Sequence, residues 1–105
     1  MLYAGAGAKS VPLSDSAESY AKLEIEVAFT QGQRATAIVS PGSEGCAVVF
    51  GVVGGTTWIC FAIVKATGKT ASVIWQLNIP VDGYQVGTGN GTVDARITSV
   101  KGRAF

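Results

Sequence analysis

Histidine is absent from this chain, and that removes more chemistry than any other feature. No Ser–His or Cys–His nucleophile pair can form, and no imidazole is available to hold a metal. Charge is scarce too, with charged residues at 14% of the sequence against about a quarter in an ordinary soluble domain. The eight basic and seven acidic residues leave a net charge of +1. They are scattered singly, without the Lys/Arg cluster that would neutralise a row of phosphates, so nucleic acid is not an expected partner. Helical periodicity is missing as well: no long stretch repeats apolar residues at the i, i+3, i+4 spacing. Nor does the N-terminus read as a signal peptide, because Lys9, Pro12 and Asp15 interrupt any apolar core.

Cysteine is limited to Cys46 and Cys60. Two cysteines make no disulfide framework, and apolar flanks read as two buried free thiols. A single bridge between neighbouring strands stays open, since sequence does not supply the geometry a disulfide needs. From Cys46 to Val64 no residue is charged, near the length of a membrane span. Gly51, Gly54 and Gly55 with Thr56 and Thr57 interrupt it, and the flanks are β-branched and aromatic. Two strands joined at a glycine turn explain the run better than a membrane helix.

What is present is apolar: 48% of residues are hydrophobic, ample to offset the entropy of ordering one domain of this length. The clearest segment is Ala21 to Thr30, where Leu23, Ile25, Val27 and Phe29 alternate with Lys22, Glu24, Glu26 and Ala28. This period of two predicts a strand with one buried and one solvated face. Before it, Ser14 to Ser19 is rich in capping residues and predicts one helical turn, capped by Ser14 or Asp15. Further strands are expected at Arg34 to Val39, Cys46 to Val53, Thr57 to Ala66, Thr70 to Ile79 and about Thr92 to Val100. Turn residues bound them, with a hairpin at Thr67-Gly68-Lys69 and a strand end at Pro80. Short strands at this spacing predict a single all-β domain over residues 1–105, an antiparallel sandwich of jelly-roll type or a barrel.

No motif supplies a catalytic residue, metal ligand or cofactor site. Glu24 and Glu26 resemble a carboxylate pair only by proximity, since both point to the polar side of a regular strand. Gly87 to Gly91 lacks the Gly-Lys-Ser/Thr ending of a phosphate loop, and no helix follows it. The chain is therefore not expected to be an enzyme. Among the aromatics, Trp75 shares a face with Val73, Leu77 and Ile79 and is expected in the core. Tyr84 stands beside Asp82, Gly83 and Gln85 in an expected loop. That setting suits stacking on a pyranose while neighbours bond its hydroxyls, so Asp82, Tyr84, Gln85 and Asn90 are the candidate ligand residues.

The strand from Thr57 to Ala66 is apolar on both sides, with Trp58, Cys60, Ala62 and Val64 on one and Ile59, Phe61 and Ile63 on the other. Only one face of each sheet in a sandwich meets the core. A second subunit is the simplest cover for the other, which makes Trp58, Ile59, Phe61 and Ile63 the candidate oligomer contacts.

Three N-terminal stretches add a resemblance: Leu2-Tyr3-Ala4-Gly5, Val11-Pro12-Leu13-Ser14-Asp15-Ser16 and Tyr20-Ala21-Lys22-Leu23-Glu24-Ile25. Together with the closing Ile97-Thr98-Ser99-Val100-Lys101-Gly102, they resemble a recurring module of tailed-bacteriophage or prophage tail fibre and baseplate proteins. The likeness covers about the first 30 residues and the last ten; the middle is not matched, and the chain is more apolar than the usual member. It implies a homotrimer in the virion, made in the bacterial cytoplasm and binding host-surface polysaccharide. It carries no catalytic residues over. Two other functions share the same fold class: a virion structural or decoration protein without a ligand, and a bacterial carbohydrate-binding domain. The start at Met1 without an upstream shaft fits a small separate protein or a piece of a longer fibre.

Overall fold

In the computed structural model, period-two alternation does what it predicts. Strand β3 (Lys22–Ala28) buries Leu23, Ile25 and Val27 completely, and Phe29 beyond it is 4% exposed. The structure describes residues 1–29, 32–53, 56–82, 85–86 and 95–104, with the backbone alone at 52, 53, 56, 81, 82, 85 and 86. The other strands are β1 (Tyr3–Ala8), β2 (Ser10–Pro12), β4 (Arg34–Val39), β5 (Glu44–Val53), β6 (Thr56–Thr67), β7 (Thr70–Asp82), β8 (Gln85–Val86) and β9 (Arg96–Arg103). Two antiparallel sheets result: a first of order β1-β9-β3-β4, and a second of order β2-β7-β6-β5 with β8 on β7. They face one another as a sandwich rather than closing as a barrel.

Local chemistry explains the joints. A two-residue turn links Thr67 to Thr70, with Gly68 at φ +59° in its first central position; a type II′ hairpin needs glycine there. The expected helical turn is one turn of 3-10 helix, Ala17–Ser19, whose N-cap is Ser16 without a side-chain bond. Asp15 does not cap it but accepts the Ser16 N–H at 2.8 Å. Glu18 reaches from this turn to the hairpin, its carboxylate accepting the Gly68 N–H at 2.9 Å, while the Ala17 N–H donates to the Gly68 carbonyl. The N-terminal segment is thus tied to the far end of the second sheet. Strand β7 does not stop at Pro80 but runs to Asp82, and β9 begins at Arg96. Proline is tolerated there because β2 pairs only with residues 70–72 of β7 and β8 only with 81–82, leaving its second edge free of a described strand at 80.

The two sheets contribute unequally to the core. The first supplies the large side chains, Leu23, Ile25, Val27, Val39, Ile97 and Val100; the second supplies mostly small ones, Ala47, Ala62, Val64, Ala66 and Ala71. Their lengths differ too. Strand β7 has thirteen residues, about 43 Å at the usual rise, which accounts for the 45 Å long axis of the molecule. Strands β3 and β4, at seven and six residues, cover about half of that. Among the described residues no helix is long and apolar enough to cross a membrane.

Candidate functional site

The outer faces of the two sheets are chemically opposite. On the first, Glu24 and Glu26 stand where the alternation places them, away from the core, but they are half-buried and engaged rather than free in water. Arg34 lies 3.0 Å from Glu26 and Arg103 3.4 Å from Glu24. A register shift opposite Glu26–Val27 marks a bulge in β9 at Thr98. That bulge brings the Thr98 hydroxyl, on a residue only 7% exposed, to donate to the Glu26 carboxylate at 2.8 Å. This bond, with the help of Arg34, holds the Glu26 carboxyl below the usual carboxylate range. The cleft between Glu24, Glu26, Thr36, Ser99 and Lys101 is therefore a satisfied ionic surface. Among the described residues no group of three or more Cys, Asp or Glu is placed to hold a metal ion.

The second sheet keeps most of its large side chains outside. Along β5 the inward residues are Gly45, Ala47, Val49 and Gly51, while Val48 and Phe50 face outward, Phe50 68% exposed. Along β6, Cys60, Ala62, Val64 and Ala66 go in, and Ile59, Phe61 and Ile63 go out. The pairing aligns them across the sheet: Phe50 with Ile59 and Ile79, Val48 with Phe61 and Leu77, Cys46 with Ile63 and Trp75. Ring contact reinforces the array, Phe61 and Trp75 meeting edge-to-face with centroids 5.6 Å apart. Side-by-side packing leaves the central row half-buried. The outward surface stays apolar, with Trp75 52% and Ile74 49% exposed.

Trp75 is a correction to the sequence reading, which places it in the core beside Val73. Ile63 pairs with Trp75, but Val64 pairs with Val73, so Ile74 is an extra residue in β7. Such a bulge shifts the alternation by one. Val73 stays against the core, whereas Trp75, Leu77 and Ile79 are carried outward. Gln76 and Asn78 take the inward positions instead. The Gln76 carbonyl accepts from Lys9 at 2.5 Å and from the Ala95 N–H at 3.1 Å, and that of Asn78 accepts from the Cys60 thiol at 2.9 Å.

The four candidate contacts divide between faces. Ile59, Phe61 and Ile63 lie on the outer apolar face; Trp58 lies on the inner one, packed against the edge of the core. The two cysteines divide in the same way. Both are free, but only Cys60 is buried, and Cys46 is exposed on the outer face. Opposite faces exclude a bridge between them, and partial burial pushes both thiols up from their ordinary value. Of the ligand candidates, Tyr84 and Asn90 lie outside the described residues. Asp82 and Gln85 are not loop residues, since their backbones pair as the last residue of β7 and the first of β8. The outer face is visible in sequence only as a volume difference, Ile59, Phe61 and Ile63 being larger than Cys60, Ala62 and Val64. Comparison with family models, curated proteins and solved structures finds no match.

Proposed function

We propose that this protein is a non-enzymatic building block of a symmetric homo-oligomer, of the virion-appendage type that its two ends resemble, and that copies meet through the outer face of β5, β6 and β7. One observation carries the reading: the second sheet turns alanine and glycine toward its own core and Phe50, Phe61 and Trp75 away from it. A sheet evolved to face water would reverse that order. Soluble monomers rarely expose apolar patches beyond a few hundred Å², and closed point-group symmetry covers such a face without open-ended polymers. The charged first sheet, with Glu24, Glu26, Arg34 and Lys101, then forms the outside.

The resemblance favours three copies and a host-surface polysaccharide as ligand; the polar neighbours of Tyr84 in the sequence make Asp82, Tyr84, Gln85 and Asn90 the proposed contact. Light scattering at micromolar concentration tests the assembly, and a cell-wall glycan pull-down tests the ligand. Ile63→Glu should convert the assembled protein to monomers or aggregates. A wild-type mass equal to one chain refutes the reading.

A further inference from the structure

An edge strand presents a row of unpaired N–H and C=O groups. Proteins that remain monomeric protect it by short length, charge, proline or a bulge. Most edges here carry such a device. The register of β1 with β9 breaks between Ala4 and Ala8, and β2 is three residues ending in Pro12. Strand β4 has six residues and starts at the exposed Arg34. The partly covered β7 is bulged at Ile74 and contains Pro80. Strand β5 has only the exposed Glu44 at its first residue. Its ten residues contain no proline, carry no charge after Glu44, and keep unbroken register with β6 from Glu44 to Val53. Among the described residues β5 pairs with β6 alone.

Which groups stand free is set by the phase of the ladder. The Ala66 carbonyl points to the β5 side of β6, where the Gly42 N–H reaches it at 2.8 Å. Antiparallel bonding alternates every second residue. Gly45, Ala47, Val49 and Gly51 are therefore bonded to β6, and Cys46, Val48 and Phe50 turn their N–H and C=O groups to the open edge.

We propose that this edge is a strand-addition site whose occupant is β5 of a second copy, paired antiparallel about a twofold axis at Val49. A row of backbone donors and acceptors calls for an extended strand, and three features select this one. The register is self-complementary: with Val49 opposite its own counterpart, Val48 faces Phe50 of the second copy, a β-branched–aromatic pair that stabilises sheets. The free groups then meet free groups, because Cys46, Val48 and Phe50 share one phase with the residues they face. Nothing repels, since no charge lies between Gly45 and Val53 and the net charge is only +1. The junction also merges the apolar outer faces of both copies into one surface. The inference deepens the self-assembly reading, yet it stands on the edge and not on the face.

The test combines light scattering, backbone amide exchange and Val48→Pro. Proline is tolerated where the N–H points away from the ladder, so this variant keeps the monomer fold and loses an edge donor. The expected result is an even number of copies (six where the outer face gathers three), slow exchange at Cys46, Val48 and Phe50, and a halved copy number in Val48→Pro. If that variant does not fold, Val49→Cys with Cys46→Ser replaces it, and mild oxidation should trap a covalent dimer across the axis. A trimer that Val48→Pro leaves intact, or fast exchange at those three amides in an assembled protein, overturns the edge while the face reading stands. A dimer lost in Val48→Pro but indifferent to Trp75→Ala upholds the edge and refutes the face. A monomeric wild type refutes both.

Discussion

Replacing Trp75 by alanine separates what the monomer needs from what the assembly needs. In the single chain Trp75 is 52% exposed and touches Phe61 edge-on. An edge-to-face ring contact is worth about 1 kcal/mol, and the half of the side chain already covered within the monomer adds a burial loss of up to about 3 kcal/mol, so monomer stability should fall by roughly 2–4 kcal/mol. Association should suffer a separate loss. A tryptophan carries roughly 250 Å² of surface, so covering the exposed half between subunits removes about 130 Å² from water, worth ~3 kcal/mol per copy. That corresponds to a Kd weakened about 100-fold at each Trp75 interface. Sedimentation across a dilution series measures the association, and urea unfolding of dilute monomer measures the stability. The reasoning is refuted if Trp75→Ala dissociates at the same concentration as wild type.

Ile25→Ala, at a fully buried position, should cost about 2–5 kcal/mol, read as a lower urea midpoint at unchanged slope. Gly102→Ala should cost about 1–3 kcal/mol through overpacking, because its methyl would enter the space of the Tyr20 ring; adding Tyr20→Ala should cancel the clash, which a double-mutant cycle measures. Glu26 has its carboxyl held low by the Thr98 hydroxyl. Its contribution is therefore present above the unfolded carboxylate range and is lost as pH falls through the lowered folded value. Thr98→Val should move the acid-unfolding midpoint to higher pH while leaving stability near neutrality less affected, and an unchanged acid limb would show that this bond does not set the shift.

Strand identity is legible in sequence wherever one face is wet. In β3 the contrast between Leu23, Ile25, Val27 and Glu24, Glu26 admits one register, because a slip by one residue would expose the whole apolar set. The Gly68 hairpin is legible for an equally local reason, the need for a positive φ at that point of a two-residue turn. The 3-10 turn at Ala17–Ser19 is legible from its capping residues, but its cap is not: the N-cap is Ser16, which makes no side-chain bond, and the Asp15 carboxylate accepts from the Ser16 N–H instead.

In β5, β6 and β7 the residue pattern shows that strands form and that both of their faces are apolar. It left open which face is the core, because Ile59 and Cys60 are equally acceptable inside. The tertiary structure decided that through volume. The first sheet already fills the interior with Leu23, Ile25, Val27 and Ile97, so mostly small residues of the second sheet fit against it; Phe50, Phe61 and Trp75 are driven outward, and Trp58 is accommodated only at the edge of the core. The bulge at Ile74 was likewise invisible in a strand whose residues on both sides are apolar, since a period that cannot be read cannot be seen to shift. It exists because β7 must present Ala71 and Val73 to the core at one end and place Gln76 within reach of Lys9 and the Ala95 N–H beyond it. That requirement comes from residues far apart in the chain, and it sends Trp75 to the outer face.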